Sequence, residues 1–104
     1  MSEYIVVVTT VDSEDVAKAI ARKLVEQHLA ACVHLFPIQS VYRWEGKQEE
    51  DNEWRLEAKT RRELYPRVEK AIVESHPYSC AQVTVLPIVA GKKEYLDWIE
   101  AETR

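Results

Sequence analysis

Tyr4-Ile5-Val6-Val7-Val8-Thr9-Thr10 is a continuous β-branched run. A strand wet on one face alternates apolar and polar residues, so an unbroken run of this kind belongs to a strand covered on both faces and central in its sheet. Asp12 or Ser13 follows as a helix cap. Val16, Ala17, Ile20, Ala21, Leu24 and Val25 then recur at helical spacing, with Glu14, Lys18, Arg22 and Glu26 supplying the wet side of a helix that ends near His28-Leu29.

From Ala31 to Trp44 the chain is again β-rich, about twice the usual strand length, with Pro37 in the middle. Proline cannot donate a ladder hydrogen bond, which predicts an edge strand or a bulge. Glu45-Gly46-Lys47-Gln48 reads as a turn, and Glu53 to Thr60 returns with Trp54, Leu56 and Ala58 on one face and Glu53, Arg55, Glu57 and Lys59 on the other. Thr60-Arg61-Arg62-Glu63 has the spacing of a capping box. Pro66 is tolerated in a first helical turn, so the regular helix is expected to begin near Leu64 or Tyr65 and to end before His76-Pro77. Gln82-Val83-Thr84-Val85-Leu86 is the last strand, stopped by Pro87. Glu94 to Thr103 places Tyr95, Trp98 and Ile99 on one stripe of a short C-terminal helix.

Strand, helix, strand, strand, helix, strand is the split βαβ order. The expectation is an α+β fold, a ferredoxin-like βαββαβ sandwich with an extended hairpin and a short C-terminal helix. The 104 residues form one domain, residues 1–104. The first strand is apolar on both faces and the last helix carries an aromatic stripe, which calls for a second covering layer, most simply another subunit. Ser40-Val41-Tyr42-Arg43-Trp44-Glu45-Gly46-Lys47 points the same way, because rings crowded at the end of a hairpin lie against a partner or a ligand.

The net charge of -4, with both signs mixed along the chain, provides no continuous basic face, so nucleic acid is not expected as a partner. Met1-Ser2-Glu3-Tyr4 has no basic segment, and the apolar run after it is broken by Thr9, Thr10 and Asp12. Neither a signal peptide nor a membrane span is expected, and a cytoplasmic location is. The two cysteines, Cys32 and Cys80, form no compact zinc or redox motif. On opposite edge strands they would stand about three strand spacings, roughly 14 Å, apart, too far for an internal disulfide.

Six short motifs then carry a resemblance over almost the whole chain: Leu29-Ala30-Ala31-Cys32-Val33, Tyr42-x-Trp44-Glu45-Gly46-Lys47, Lys59-Thr60, His76-Pro77-Tyr78, Leu86-Pro87-Ile88 and Tyr95-Leu96-x-Trp98. In this order they resemble the CutA divalent-cation tolerance family. The resemblance implies a trimer in which long strands of neighbouring subunits pair edge to edge and aromatic residues plug the clefts between them. It places Tyr42, Trp44, Glu45, Lys59, Thr60, Tyr78 and Trp98 along an intersubunit cleft. It also implies binding of copper or another divalent metal ion, which some members hold through a first-strand cysteine and the histidine before Pro-Tyr. Here the cysteine position is Thr9, and His76 remains.

Copper or zinc needs three or four donors from imidazole, thiolate or carboxylate. His76 with Cys80 is the best local pair, and His34, two positions from Cys32 and so on the same strand face, makes a second. A capping role for His76 and core packing for the other pair are the alternatives. No Gly-rich phosphate loop, nucleophile elbow or HExxH spacing is present, so no enzymatic activity is expected. Glu49-Glu50-Asp51 reads as a solvated acidic turn. Two further readings stand beside the metal-binding trimer. One is a signalling module like the PII proteins, holding a small anion or nucleotide between subunits near Arg43, Lys47, Lys59, Arg61 and Arg62, against which stands the plainer reading that these residues pair with Glu45, Glu53, Glu57 and Glu63 across strands and turns; the other is a trimeric scaffold for a larger protein.

Overall fold

A computed structural model describes residues 3–104. Met1 and Ser2, where the segment read as lacking a leader begins, lie outside the described residues. The elements are β1 (Tyr4–Val11), α1 (Glu14–Glu26), β2 (Cys32–Trp44), β3 (Lys47–Arg61), a 3-10 turn (Arg62–Leu64), α2 (Tyr65–Ser75), β4 (Thr84–Pro87) and α3 (Lys93–Glu102). The strands form one antiparallel sheet in the order β2-β3-β1-β4, the expected α+β, ferredoxin-like arrangement with β1 in the interior.

Register assigns each side chain to a face. Ile5, Val7 and Val11 on β1 stand opposite Thr60, Ala58 and Trp54 on β3, and Ile5, Val7, Val11, Leu56 and Ala58 are buried in one cluster with Ile20 and Leu24 of α1 and Val68 and Ile72 of α2. Helix α1 is started by Ser13, whose Oγ accepts the Val16 N–H at 3.2 Å, and its first turn carries Glu14 and Asp15 toward the positive end of the helix dipole. It stops where His28 turns to φ 57 and the Leu29 N–H reaches back to the Leu24 carbonyl at 2.9 Å.

The capping box does not form. Thr60 is still in β3, 0 % exposed, with its Oγ1 buried and unpartnered, and neither the 3-10 turn nor α2 is capped by a side chain. The β1–β3 ladder holds Thr60 opposite Ile5, facing the core, so its hydroxyl cannot turn back onto a helix start. As expected, α2 begins at Tyr65 with Pro66 in its first turn. Pro87 remains paired, opposite Ile5, and the Ile88 N–H continues to the Tyr4 carbonyl at 3.0 Å, because β4 is an edge strand where proline leaves no ladder partner unsatisfied.

The hairpin joining β2 and β3 is longer than expected. Pairing runs to Trp44↔Lys47, so Glu49-Glu50-Asp51 is strand and not turn. The turn is Glu45-Gly46 alone, both at positive φ (50 and 78), the two-residue geometry whose twist matches the flanking strands. Since β1 ends at Val11↔Trp54, the β2–β3 ribbon from Ile38 and Glu53 outward has no third strand beside it, giving an elongated shape of 45 × 25 × 22 Å.

The second sheet face carries Thr10 and Val8 of β1 and Glu53, Glu57, Lys59 and Arg61 of β3, by the alternation of the pleat. Part of its cover comes from the chain itself. Arg61 donates from Nε to Thr103 Oγ1 at 2.9 Å and from Nη2 to the Thr103 carbonyl at 2.6 Å, which ties down the end of α3 above a wholly buried Ile99. Tyr95 and Trp98 of α3 stay exposed with ring centroids 5.6 Å apart.

Candidate functional site

Just beyond the end of β1, the segment after α2 folds across the second sheet face. His76 anchors it. Its Nε2 lies 2.8 Å from the Thr10 carbonyl, and its Nδ1 accepts the Tyr78 N–H at 3.1 Å. These contacts require the neutral ring with the proton on Nε2. The Tyr78 ring is thereby held against the imidazole, with centroids 4.9 Å apart, and its hydroxyl donates to Glu53 Oε2 at 2.9 Å.

Tyr78 covers Glu53, which is only 7 % exposed although it sits on a strand with no neighbour on its β1 side. Among the described residues no lysine, arginine or histidine forms an ion pair with Glu53. Burial first, then the hydrogen bond to Glu53 and the nearby Glu53 and Asp12 charges, push the Tyr78 phenol well above the usual tyrosine range. Across the ribbon, the Tyr42 hydroxyl donates to Asp51, and that bond is the main cause of a phenol pKa pushed up to about 12.

Glu53, Tyr42, Trp44, Tyr78, Cys80 and Thr10 line one open cavity of about 660 Å³. Three rings and one buried carboxylate therefore face a common space. The surroundings favour positive charge, through carboxylate attraction and the negative faces of the rings.

The expected site residues divide into two groups. Tyr42, Trp44, Tyr78 and Cys80 are in this cavity, with His76 behind Tyr78 and Glu45 at the adjoining hairpin tip. Cys32 and His34 lie at the far end of β2, opposite Lys59 and Glu57. Ten residues separate Cys32 from Tyr42 along the strand, on the order of 33 Å. His34 Nδ1 is 3.1 Å from Lys59 Nζ, Thr60 is sealed in the core, and Trp98 is on α3. Cys32 is half-buried and Cys80 exposed, both as free thiols.

Among the described residues no three of His, Cys, Asp and Glu come together to hold a metal ion. Both His76 ring nitrogens are engaged within the chain, leaving no lone pair for a metal in this arrangement. A single protomer's donors therefore do not fit a high-affinity transition-metal site. Of the basic residues considered for an anion, Arg61 holds Thr103 and Glu63, and Lys59 faces His34. Sequence reasoning missed Glu53 as a site residue. Its alternation with Trp54 and Leu56 marked it as solvent-facing, and its burial comes from a tyrosine 25 positions away. No described helix is long and apolar enough to cross a membrane.

The family model described as "CutA1 divalent ion tolerance protein" matches residues 5–102. The divalent-cation tolerance protein CutA of Thermus thermophilus is 44% identical over 99 residues, covering 94% of this chain and 96% of that protein. Protein CutA of Mus musculus is 45% identical over 95 residues, covering 90% of this chain and 54% of the mouse protein, so the chain spans about half the length of that relative. Among solved structures, the periplasmic divalent cation tolerance protein CutA from Archaeoglobus fulgidus superposes with a TM-score of 0.95 at 38% identity, covering 97% of this chain and 99% of that one. None of these names carries an enzymatic activity.

Proposed function

This chain belongs to the CutA1 divalent ion tolerance family, and from that premise we propose that it works as a non-enzymatic homotrimer in divalent-cation tolerance, contributing to metal homeostasis or stress response. The observation that carries the assembly is the β2–β3 ribbon. It extends beyond the sheet with Val41, Tyr42 and Trp44 all more than a third exposed, and the outer main-chain edge of β2, thirteen residues long, has no strand beside it. A long bare edge is an open template for pairing, and a second copy of the same chain is its simplest cover. On the opposite side β4 offers another free edge, with Val85 and Leu86 exposed.

The ligand in this reading is a divalent ion such as copper, bound weakly. Among the described residues each protomer offers pairs of donors, Cys32 with His34 on one strand face and Cys80 with Glu53 in the lining of one cavity, so the coordination sphere is completed by donors from neighbouring protomers. Light scattering is expected to return three times the 12.1 kDa protomer mass. Titration with Cu(II) and Zn(II) is expected to show weak binding by the wild-type protein that falls in Cys80→Ser or Cys32→Ser. A protomer mass at micromolar concentration removes the assembly, and identical curves for all variants remove the thiols from the site.

A further inference from the structure

Alternate residues of β3 share the sheet face turned away from α1 and α2, and along that face the charges are sorted by sign. On the outer half of the ribbon stand Lys47, Glu49, Asp51 and Glu53; on the inner half, beside β1, stand Arg55, Glu57, Lys59 and Arg61. The two halves carry equal and opposite formal charge. The β2 residues paired to them on this face, from Trp44 and Tyr42 back to His34 and Cys32, add no carboxylate, lysine or arginine. In a reading that rests on the trimer, we propose that neighbouring copies meet head to tail on this face, the acidic outer half of one ribbon on the basic inner half of the next, with Glu49 of one copy paired to Lys59 of its neighbour.

The partners inside the chain single out these two residues. Arg55 and Glu57 pair with each other at 3.1 Å, and Arg61 is taken up by Thr103 and Glu63. Asp51 and Glu53 accept from the hydroxyls of Tyr42 and Tyr78. Among the described residues neither Glu49 nor Lys59 has an ion pair, and the Lys59 ammonium reaches His34 Nδ1 at 3.1 Å. Ten residues of extended strand hold them on the order of 33 Å apart, so they meet only between copies. Phe36, Tyr42 and Trp44, each more than a third exposed, lie on the same face. Burial of these rings supplies the attraction, and the sorted charges fix its direction, because tips gathered with tips would set carboxylates against carboxylates. Each copy then turns its acidic half to one neighbour and its basic half to the other, the heterologous contact that closes a ring.

Charge reversal tests the pairing. Light scattering of the full chain across a dilution series, repeated in urea below the unfolding transition, gives the protomer concentration at half-dissociation, and circular dichroism verifies folding of each variant. Glu49→Lys and Lys59→Glu are each expected to raise that concentration at least tenfold, and the double variant, which restores opposite charges at every contact, to return it to within about threefold of wild type. Lys59→Gln guards against misfolding of Lys59→Glu and is expected to weaken assembly by a smaller factor. Folded single variants as tightly assembled as the wild type overturn the pairing, as does a double variant no tighter than the weaker single; with a trimeric wild-type mass, the assembly reading stands and only the head-to-tail contact falls. A wild-type protein of protomer mass, or a dimer in which two copies satisfy each other's halves, removes the trimer and this ring together.

Discussion

His76 Nε2 donates to the Thr10 carbonyl at 2.8 Å across 66 residues of sequence, and the same ring accepts the Tyr78 N–H on its other nitrogen. One neutral imidazole thus joins the end of α2, the end of β1 and the tyrosine that covers Glu53. Replacing it by alanine leaves a half-buried carbonyl and an N–H without their partner, at about 1 to 3 kcal/mol. His76→Ala is expected to lower the unfolding midpoint and to speed hydrogen exchange at Tyr78, while leaving any Cu(II) titration curve unchanged, since the ring has no free lone pair for a metal. A copper curve abolished by His76→Ala in a protein of unchanged stability would refute this assignment.

Thr9 and Thr60 each bury a hydroxyl with no hydrogen-bond partner. Valine has nearly the same shape without the polar atom. Thr9→Val and Thr60→Val are each expected to raise stability, by roughly 1 kcal/mol, because a desolvated hydroxyl is removed and no bond is lost. Chemical denaturation of the two variants measures this, and a loss of stability in both would point to an ordered water serving these oxygens.

The Glu45-Gly46 turn holds a non-glycine residue at φ 50. Glu45→Asn provides a side chain that tolerates this region and completes the preferred Asn-Gly pair, whereas Gly46→Ala places a Cβ in it at a cost of about 1 to 2 kcal/mol. Thermal melts are expected to move up slightly for the first variant and down for the second.

At high pH the tyrosines become the sensitive groups. Hydrogen bonds to Asp51 and Glu69 push Tyr42 and Tyr65 up to about 12 from an ordinary 10.0. A phenol whose pKa is higher in the folded than in the unfolded chain contributes stability that is complete below pH 10 and is lost as pH rises toward 12. Ultraviolet titration is expected to show both phenols ionising late, and Tyr42→Phe with Tyr65→Phe should flatten the alkaline decline in stability.

Arg61 fastens the last helix through two bonds to Thr103. Arg61→Ala is expected to accelerate amide exchange across residues 93–103 while the β1–β3 ladder stays protected. Lysine should rescue poorly, since one ammonium cannot reproduce the planar fork that meets both oxygens.

Periodicity and punctuation in the chain were sufficient for the order of elements, the central place of β1, the edge strand at Pro37 and the separation of the two thiols, because each depends on neighbours within a few residues or on the alternation of a single strand. The turn at Gly46 was legible for the same reason. The capping role assigned to Thr60 failed because strand pairing with Ile5 outweighed a local hydrogen-bonding option. The cavity was decided only by tertiary structure. Glu53 carries the pattern of an exposed strand residue, and it became a buried side chain when Tyr78, fixed by the contact between His76 and Thr10, came to rest over it. Local sequence sets which face of an element is apolar; which distant loop settles on that face is decided when the whole sheet packs.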